Sequence, residues 1–600
     1  MHLRRGRVPG PQARRRYSRE EPDARPAAQP PSRIIGVFRR GPDGGIVVSA
    51  DRRERRDFAV SATEAEGLDE GELVVAGEIA ARRFGPPQAR ILERLGSAEA
   101  PGAFSLLAIA QFEIPNEFPP AALAEAAAAP PPVLGDRVDL RGLGLVTIDG
   151  PDARDFDDAV WAEPDPDPAN PGGWHIVVAI ADVAGYVRPG SALDREATRR
   201  GNSVYFPDRV VPMLPEALSN GLCSLVPGED RACMAAHLWI DADGRKLRHR
   251  FERALMRSTA RLTYEAVQEG TATLPPERRA ALYGAFAVLD AARVKRGALA
   301  LDLPEHKVVL DAVRRPVAIV IQPRLDSHRL IEEFMILANV AAAEELEGRR
   351  RSCIYRVHDL PAPEKVDALR DFLAEMGKPG LTLAKGERMR PELFNRVLTR
   401  AVGTDEALLI NDLILRAQAQ AAYSPRNIGH FGLALSRYAH FTSPIRRYAD
   451  LLVHRALLGE LPQVPAELEP IADQISATER RAVAAERAAL DRYRTALLGG
   501  AVGSVFTGRV TGVARFGLFV TAGDTGADGL VPMSSLPGDY YRHDTRRHRL
   551  VGQRSRRVFA LGDAVTVRLD EADRMTGRLL FRLEEDKPAA TASPRPRRKR

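Results

Sequence analysis

The sequence predicts an α+β multidomain protein in which one large central domain lies between two small β-barrels. Three observations carry this prediction. The chain of 600 residues is too long for a single hydrophobic core. Short alternating apolar runs separated by glycines occupy both flanks. The middle instead mixes buried strand patterns with long stretches of helical periodicity.

The N-terminal part begins with a segment that has no apolar periodicity. Residues 1–32 are rich in Arg, Pro and Gln, which predicts a disordered basic arm. Residues 33–98 contain short β-like runs such as GGIVVSA and ELVVAGEI, which predict a small barrel. Residues 99–135 are predicted to be a connector, with one helix bracketed by prolines between 119 and 132.

The rest of the chain divides into a large domain, a second barrel and a tail. Residues 136–499 combine strands such as LGLVTID with two long helices, HRLIEEFMILANVAAAEELEG and ERRAVAAERAALDRYRTALL. Residues 500–585 return to alternating strands with glycine-marked turns, again typical of a small barrel. Residues 586–600 form a low-complexity basic tail.

Composition excludes several classes of protein. No apolar run reaches the roughly 18 residues of a membrane span, and no phosphate-binding GxxxxGK[ST] loop is present. The three cysteines have neither CxxC nor zinc spacing, so a reducing cytoplasmic location is expected. The net charge of +7 rests almost entirely on Arg, since only eight of the 87 basic residues are Lys. Arg suits bidentate phosphate contact, although a GC-rich genome explains the same excess.

The clearest chemical signal is a cluster of aspartates between two predicted strands. Five of them fall within ten residues: Asp149, Asp152, Asp155, Asp157 and Asp158. Carboxylates at this density favour a hard divalent cation, magnesium or manganese, and a pair of such ions clamps both oxygens of a phosphodiester displacement. The alternative is a solvated acidic loop. Asp182, at the end of a neighbouring strand, either adds a carboxylate or is structural.

A second constellation lies in YAHFTSPIRRYADLLVHR, residues 438–455. We expect a helix to begin in its Ser-Pro turn, with Thr442 or Ser443 as the cap and Pro444 at the first helical position. Arg446 would then lie near free backbone N–H groups, a setting that suits phosphate. The alternative for such an arginine pair is a solvated helix face.

Taken together, five long strings resemble the ribonuclease II/R (RNB) exoribonuclease family, and most closely its bacterial ribonuclease R members. Besides the aspartate loop and the 438–455 segment, the strings include residues 178–225, HRLIEEFMILAN and GHFGLAL. The resemblance runs from about residue 34 to residue 585. The chain is expected to be shorter at its N-terminus than those members, lacking a helix-turn-helix region and a further cold-shock domain.

The resemblance implies a fold and a reaction. It identifies the central region as an RNB catalytic domain, residues 33–98 as a cold-shock-like OB barrel, and residues 500–585 as an OB-fold RNA-binding domain of the ribosomal-protein type. It implies a processive, hydrolytic 3′→5′ exoribonuclease that releases nucleoside 5′-monophosphates in RNA decay and quality control. The implied substrates are single-stranded 3′ ends and structured RNA with 3′ overhangs.

The resemblance also assigns residues to roles. The family's metal site, expected to hold two magnesium ions with manganese as an alternative, falls on Asp149, Asp155, Asp157 and Asp158. Arg446 is implied at the scissile phosphate. Tyr205 is implied to stack on the 3′-terminal base, with Tyr355 on the opposite face, and Glu486 to lie near the terminal ribose.

Two other functions remain open from the sequence. One is a ribonuclease II-like enzyme that stalls at structured RNA. The other is an RNA-binding regulator that no longer cleaves, although the four aspartates and Arg446 are all present. In each case we expect a monomer without membrane association.

Overall fold

The computed structural model describes residues 33–584, apart from positions 52, 55, 80–85, 384 and 546. The basic arm predicted at 1–32 and the basic tail predicted at 586–600 lie outside the described residues. Within the described part of the chain, no helix is both long and apolar enough to cross a membrane.

The first unit is a closed five-stranded barrel. Its strands are β1 (Arg33–Gly41), β2 (Gly44–Ser49), β3 (Asp57–Ser61), β4 (Glu72–Ile79) and β5 (Gln88–Ser97). They close in the order β1-β2-β3-β5-β4. Inward-facing residues such as Phe38, Val47 and Phe58 fill its centre, because alternate side chains of a strand point to one face.

Two short helices, α1 (Ala103–Gln111) and α2 (Pro120–Ala127), follow the barrel. The predicted connector helix is α2, and Pro120 occupies its first turn, where a missing N–H costs nothing. The helix α1 was not predicted. It packs through Ala108 and Ile109 against alanines in the second half of the helix Pro465–Leu498, including Ala485.

The central domain is built on a mixed seven-stranded sheet. In chain order, the strands of this domain are β6 (Val138–Asp139), β7 (Val146–Asp149), β8 (Asp158–Pro164), β9 (Trp174–Ala181), β10 (Val204–Tyr205), β11 (Val210–Val211), β12 (Asp230–Ile240), β13 (Lys246–Arg257), β14 (Ala260–Thr263), β15 (Glu305–Leu310), β16 (Pro316–Gln322), β17 (Tyr355–Val357) and β18 (Ala422–Ser424). The large sheet has the order β14-β7-β8-β9-β12-β13-β6, whereas β10 with β11, β15 with β16, and β17 with β18 form separate pairs.

The described part of the central domain also contains nine helices. They are α3 (Ala192–Arg200), α4 (Tyr264–Glu269), α5 (Pro276–Arg296), α6 (Asp326–Gly348), α7 (Pro363–Glu375), α8 (Pro391–Ala401), α9 (Ala407–Ala417), α10 (Tyr448–Leu458) and α11 (Pro465–Leu498). Of these, α7, α8 and α9 share a hydrophobic cluster of their own. Both long helices predicted from periodicity are confirmed, as α6 and as the C-terminal part of α11. Leu330, Phe334, Leu337 and Ala341 lie three or four residues apart and bury one face of α6 in the main core.

The second barrel follows α11. Its region contains β19 (Val505–Ala514), β20 (Gly517–Ala522), β21 (Ala527–Pro532), β22 (Tyr541–Asp544), β23 (Arg549–Gly552), β24 (Val558–Ala560), β25 (Ala564–Asp573) and β26 (Arg578–Leu583). The closed barrel has the order β19-β20-β21-β26-β25, and β22 to β24 form a small separate sheet. The predicted α+β class, with a large domain between two OB-type barrels, is therefore confirmed.

Candidate active site

The aspartate cluster lies where two neighbouring strands of the large sheet meet. Asp149 is the last residue of β7 and Asp158 is the first residue of β8. The two strands run antiparallel, with Val146 opposite Val160, so the residues at either end of the connecting loop come close together. Asp155 and Asp157 lie within that loop.

All four predicted metal ligands line one cavity of about 640 Å³. Tyr205 and Arg446 line the same cavity, although they come from distant parts of the sequence. The structure thus brings together every predicted catalytic residue and one of the two predicted base-stacking residues.

Burial and mutual repulsion make these carboxylates unusual. Burial and the charge of Asp155 raise the pKa of Asp149 to about 6. Burial and the charge of Asp149 raise the pKa of Asp158 to about 8. Burial also raises the pKa of Asp157 well above its usual value, against the opposing influence of Arg446 and a backbone hydrogen bond. The cavity is therefore a site where negative charge is costly without a cation.

The donor set fits a hard divalent cation. One carboxylate oxygen each of Asp149, Asp157 and Asp158 is buried without a hydrogen-bond partner, although buried polar atoms are normally satisfied. Carboxylate oxygens are the ligands that magnesium and manganese prefer. Across the described residues, no group of three or more His, Cys, Asp or Glu side chains already stands in a metal-binding arrangement. The four carboxylates face one cavity without converging on a single point.

Arg446 lies directly beside the carboxylates. Its Nε atom is 3.4 Å from Oδ2 of Asp157, an ion-pair contact that is not a hydrogen bond. Its guanidinium also donates to the hydroxyl of Ser443 at 2.9 Å. The side chain remains 44% exposed, so most of its donors are free to meet an anion in the cavity.

The segment that carries Arg446 is held by a buried ion pair. Asp450 is fully buried and accepts two hydrogen bonds of 2.8 Å from the side chain of Arg447. The same carboxylate accepts the backbone N–H of Ser443 at 2.8 Å. The backbone N–H of Ser203 also binds the carbonyl of Arg446 at 2.9 Å. These bonds fix the backbone on both sides of Arg446.

The helix after this segment begins later than the sequence predicts. We expected it to start at Pro444 with Thr442 or Ser443 as the cap, but α10 begins at Tyr448 and has no side-chain cap. The reason is that Arg447 adopts an extended backbone, which pairs with Asn202 and interrupts the helical path just before Tyr448. Arg446 lies in an isolated turn, in which the carbonyl of Ser443 accepts the N–H of Arg447 at 2.9 Å, and the pairing of Arg447 with Asn202 separates this turn from α10.

Tyr205 stands at the junction of two cavities. Its hydroxyl donates to Oδ2 of Asp155 at 3.0 Å, and its backbone N–H donates to Oε1 of Glu486 at 2.7 Å. The residue is 40% exposed, so part of its ring is available for stacking. Tyr205, Glu486 and Arg446 also line a second cavity of about 260 Å³. Tyr205 therefore lies between the aspartate loop and this second cavity.

The structure does not bring Tyr355 to either of these cavities. Tyr355 pairs with Ser424 between β17 and β18, and its ring is buried in the main core. Its neighbour Arg356 pairs with Tyr423 and forms an ion pair with Glu479, and both of these partners line the second cavity. Because successive side chains of a strand point to opposite faces, Tyr355 faces away, and its predicted stacking role is corrected.

Two other candidate aspartates are separate from the site. Asp152 is 86% exposed at the side chain and pairs with Lys307. Asp182 is fully buried, and its Oδ2 accepts hydrogen bonds from Arg137 and Arg253. Asp182 is therefore a structural ion-pair residue.

Several cavity residues were missed by the sequence analysis. Their side chains share one property: each reaches the cavity through a tertiary contact that no local motif encodes. They are Tyr264, His328, Asn339, Tyr423 and Tyr438. Tyr264, for example, follows β14, whose last residue Thr263 pairs with Asp149. Only the parallel pairing of β14 with β7 places that tyrosine beside the aspartates.

The chain is similar to known protein families and to a known enzyme. An RNB domain model matches residues 137–461, a cold shock domain model residues 46–119, and an S1 RNA binding domain model residues 501–583. The chain is 40% identical over 571 residues to Ribonuclease R of Escherichia coli (strain K12), covering 90% of this chain and 69% of that protein.

The fold is also similar to solved structures. RNase R of Mycoplasma genitalium in complex with ribose methylated single-stranded RNA superposes with a TM-score of 0.85 at 26% identity, covering 93% of this chain and 90% of that chain. The same enzyme in complex with double-stranded RNA gives a TM-score of 0.79 at 26% identity, covering 93% and 96%.

Proposed function

The chain belongs to the ribonuclease R branch of the RNB family and is a 3′–5′ exoribonuclease, and we propose that it degrades RNA processively at the aspartate cavity. In this proposal the enzyme hydrolyses the last phosphodiester and releases nucleoside 5′-monophosphates. The observation that supports it best is the arrangement of Asp149, Asp157 and Asp158, whose unpartnered buried oxygens share one cavity with Arg446.

RNB ribonucleases are metal-dependent, and we propose magnesium as the ion, with manganese as a substitute. Asp149, Asp155, Asp157 and Asp158 would hold it, because an all-carboxylate donor set suits hard cations. When bound there, a divalent cation supplies positive charge to the scissile phosphate and lowers the pKa of a water molecule. Positive charge would also remove the repulsion that raises the pKa of Asp149 and Asp158.

Arg446 is proposed to bind the scissile phosphate. Its free guanidinium donors point into the cavity beside Asp157, and a guanidinium offers paired donors to two phosphate oxygens. The backbone around it is fixed by Asp450 and Asp157, so little reorganisation is needed as charge develops on the phosphate.

Tyr205 is proposed to stack on the terminal base. Its two hydrogen bonds, to Asp155 and Glu486, fix the ring at the end of the cavity. Stacking accepts every base because each has a π face, which fits degradation without sequence preference. Glu486 is proposed to lie near the terminal ribose, supported by its position in the cavity next to Tyr205.

RNA is the bound partner, and the finer substrate range is a proposal. Single-stranded 3′ ends and structured RNA with 3′ overhangs are the proposed substrates, supported by the relative's complexes with single-stranded and double-stranded RNA. We also propose a cytoplasmic monomer: one chain by itself supplies the four aspartates, Arg446 and Tyr205 to the cavity, and its three free cysteines are buried, which fits a reducing compartment.

The proposed domain limits follow the sequence analysis. They are 33–98 for the cold-shock-like barrel, 99–135 for the connector, 136–499 for the catalytic domain and 500–585 for the C-terminal RNA-binding barrel. The two closed barrels, β1-β2-β3-β5-β4 and β19-β20-β21-β26-β25, support these limits.

Asp157→Asn tests the proposed function most directly. The amide oxygen of asparagine still accepts the N–H of Ile445, so the variant loses charge and keeps its backbone contact. We expect the variant to release no mononucleotides from a labelled single-stranded RNA, yet to bind that RNA like the wild type in a gel-shift assay with EDTA. The exposed Asp152→Asn is the matched control and should retain activity. If Asp157→Asn released mononucleotides at the wild-type rate, the assignment of the metal site to these aspartates would be rejected.

A further inference from the structure

One hydroxyl outside the cavity binds the backbone on both sides of Asp155. Ser224 is fully buried. Its Oγ donates to the carbonyl of Arg154 at 2.7 Å and accepts the N–H of Phe156 at 3.0 Å. The Arg154 carbonyl belongs to the peptide unit before Asp155, and the Phe156 N–H belongs to the unit after it. We propose that Ser224 is a positioning residue that sets the place of Asp155 in the metal site, which rests on the metal-binding role proposed above.

The segment that carries Ser224 is itself fixed. The carbonyl of Ser224 accepts a hydrogen bond of 2.8 Å from Nε of the buried Arg231. The N–H of the next residue, Leu225, donates to the carbonyl of Phe156 at 3.0 Å. The hydroxyl therefore joins the aspartate loop to a rigid part of the central domain.

Removal of this hydroxyl leaves two backbone groups without a partner. The bond to the N–H of Phe156 is buried, so water cannot replace it and an unpaired donor there is costly, whereas the bond to the carbonyl of Arg154 is part-buried. The loop relaxes by turning these groups toward other partners, and such a turn moves Asp155 directly. Asp155 also accepts the hydroxyl of Tyr205, so the same shift reaches the proposed end of the RNA track.

Residues that hydrogen-bond to a metal ligand without touching the metal usually affect the affinity for that metal. Their removal typically weakens metal binding by about 10–100-fold. For Ser224 we expect the lower end of this range, about tenfold, because Ser224 acts on a single carboxylate through its backbone.

The test compares Ser224→Thr with Ser224→Val. The two side chains have nearly the same shape, so the cost of extra bulk in this buried position is shared and only the hydroxyl differs. Binding of Mn²⁺ alone is measured by electron paramagnetic resonance, without RNA, and magnesium-dependent hydrolysis is measured in parallel. We expect the valine variant to bind Mn²⁺ about tenfold more weakly than the threonine variant. RNA binding in EDTA should be equal in both.

Ser224→Ala and Ser219→Ala form the second pair. Ser219 is also buried, five residues before Ser224, but its hydroxyl faces the carbonyl of Pro215 and does not touch the aspartate loop. We expect weaker Mn²⁺ binding only in Ser224→Ala. If Ser224→Thr and Ser224→Val bind Mn²⁺ equally, the role of the Ser224 hydroxyl is refuted. The same holds if Ser224→Ala and Ser219→Ala lose Mn²⁺ affinity to the same extent. If wild-type protein binds no Mn²⁺, the metal site itself fails, and this outcome is distinct from the previous one.

Discussion

Oδ1 of Asp157 accepts a hydrogen bond of 2.8 Å from the backbone N–H of Ile445, 288 residues further along the chain. The other oxygen of the same carboxylate contacts the guanidinium of Arg446 at 3.4 Å. Asp157 thus joins the acidic loop to the segment that presents the phosphate-binding arginine. One carboxylate sets the distance between the two halves of the proposed active site.

This relationship predicts that alanine and asparagine at position 157 differ in stability. Both changes remove the charge, but only Asp157→Ala removes the acceptor for the buried N–H of Ile445. An unsatisfied buried donor costs about 1–3 kcal/mol, so we expect Asp157→Ala to be less stable than Asp157→Asn by that amount. Urea unfolding in EDTA measures the difference. Equal stability of the two variants would show that the Ile445 hydrogen bond contributes little.

In metal-free protein we expect Asp149 and Asp158 to make the folded state progressively less stable as the pH rises from about 4 to about 8. An unfolded aspartate titrates near 3.9, whereas the folded pKa values of Asp149 and Asp158 are about 6 and about 8. Between these values the folded state binds more protons than the unfolded state, so rising pH favours unfolding. Burial lowers the pKa of His175 and His237 to about 4, so these histidines act in the opposite direction. Thermal unfolding across this pH range in EDTA tests the sign of the aspartate contribution, measured as the difference between the wild type and a variant that lacks one of these carboxylates.

Asp158→Asn separates this effect from other titrating groups. The variant lacks the carboxylate with the higher pKa of the two, so the stability of the wild type relative to this variant should fall as the pH rises toward 8 in EDTA. Magnesium should stabilise the wild type, because a ligand that binds only the folded state shifts the unfolding equilibrium. Asp158→Asn should gain little from magnesium. The same pH slope in both proteins would contradict the assignment to Asp158.

The sequence was most informative where the chemistry is local. Asp149, Asp155, Asp157 and Asp158 lie within ten residues, so their shared cavity could be predicted from spacing and resemblance. The periodicity of α6 and α11 is also local and predicted both helices. Each of these features depends on residues that are close in the sequence.

The predictions that failed depend on contacts between distant residues. The start of α10 moves from Pro444 to Tyr448 because Arg447 is extended and pairs with Asn202, a residue far away in the sequence. Tyr355 faces the core because the register of β17 with β18 directs its neighbour Arg356 toward Glu479 at the second cavity. Ser224 carries no motif of its own, and only the folded chain brings its hydroxyl to the aspartate loop.

Arg446→Lys should lower the catalytic rate with little effect on RNA affinity. Lysine keeps the charge but loses the forked donors that meet two phosphate oxygens. Removing one transition-state donor typically costs about 10²–10³ in kcat, and we expect a loss near the lower limit. Single-turnover hydrolysis gives the rate, and fluorescence anisotropy in EDTA gives the affinity. Arg437→Lys is the control, since Arg437 pairs with Glu347 and lies outside both cavities. Comparable losses in the two variants would argue against a specific role for Arg446.

Two changes at Tyr205 should separate its ring from its hydroxyl. Tyr205→Phe keeps the stacking surface and loses the hydrogen bond to Asp155, so RNA affinity in EDTA should stay near the wild-type value. Tyr205→Ala loses base stacking worth about 1–3 kcal/mol, so affinity for a short single-stranded RNA should fall roughly 5- to 150-fold. Anisotropy with a labelled oligonucleotide measures both. Equal affinity of the alanine and phenylalanine variants would exclude stacking on this ring.

A duplex with a single-stranded 3′ overhang should distinguish the two enzyme types that the sequence left open. A ribonuclease R-like enzyme is expected to enter from the overhang and reduce the tailed strand to mononucleotides, because a cavity that accepts one strand excludes its partner as the RNA is drawn in. A ribonuclease II-like enzyme would stop several nucleotides before the duplex. Product lengths on a denaturing gel decide between them, with the same strand in unpaired form as the control. Full digestion of the unpaired strand together with a fixed stop ahead of the duplex would replace the ribonuclease R-like proposal by the ribonuclease II-like one.

The same duplex, mixed with Asp157→Asn, shows whether strand separation needs hydrolysis. This variant is expected to bind RNA without cutting it. A duplex that stays paired would link unwinding to the removal of nucleotides at the aspartate cavity.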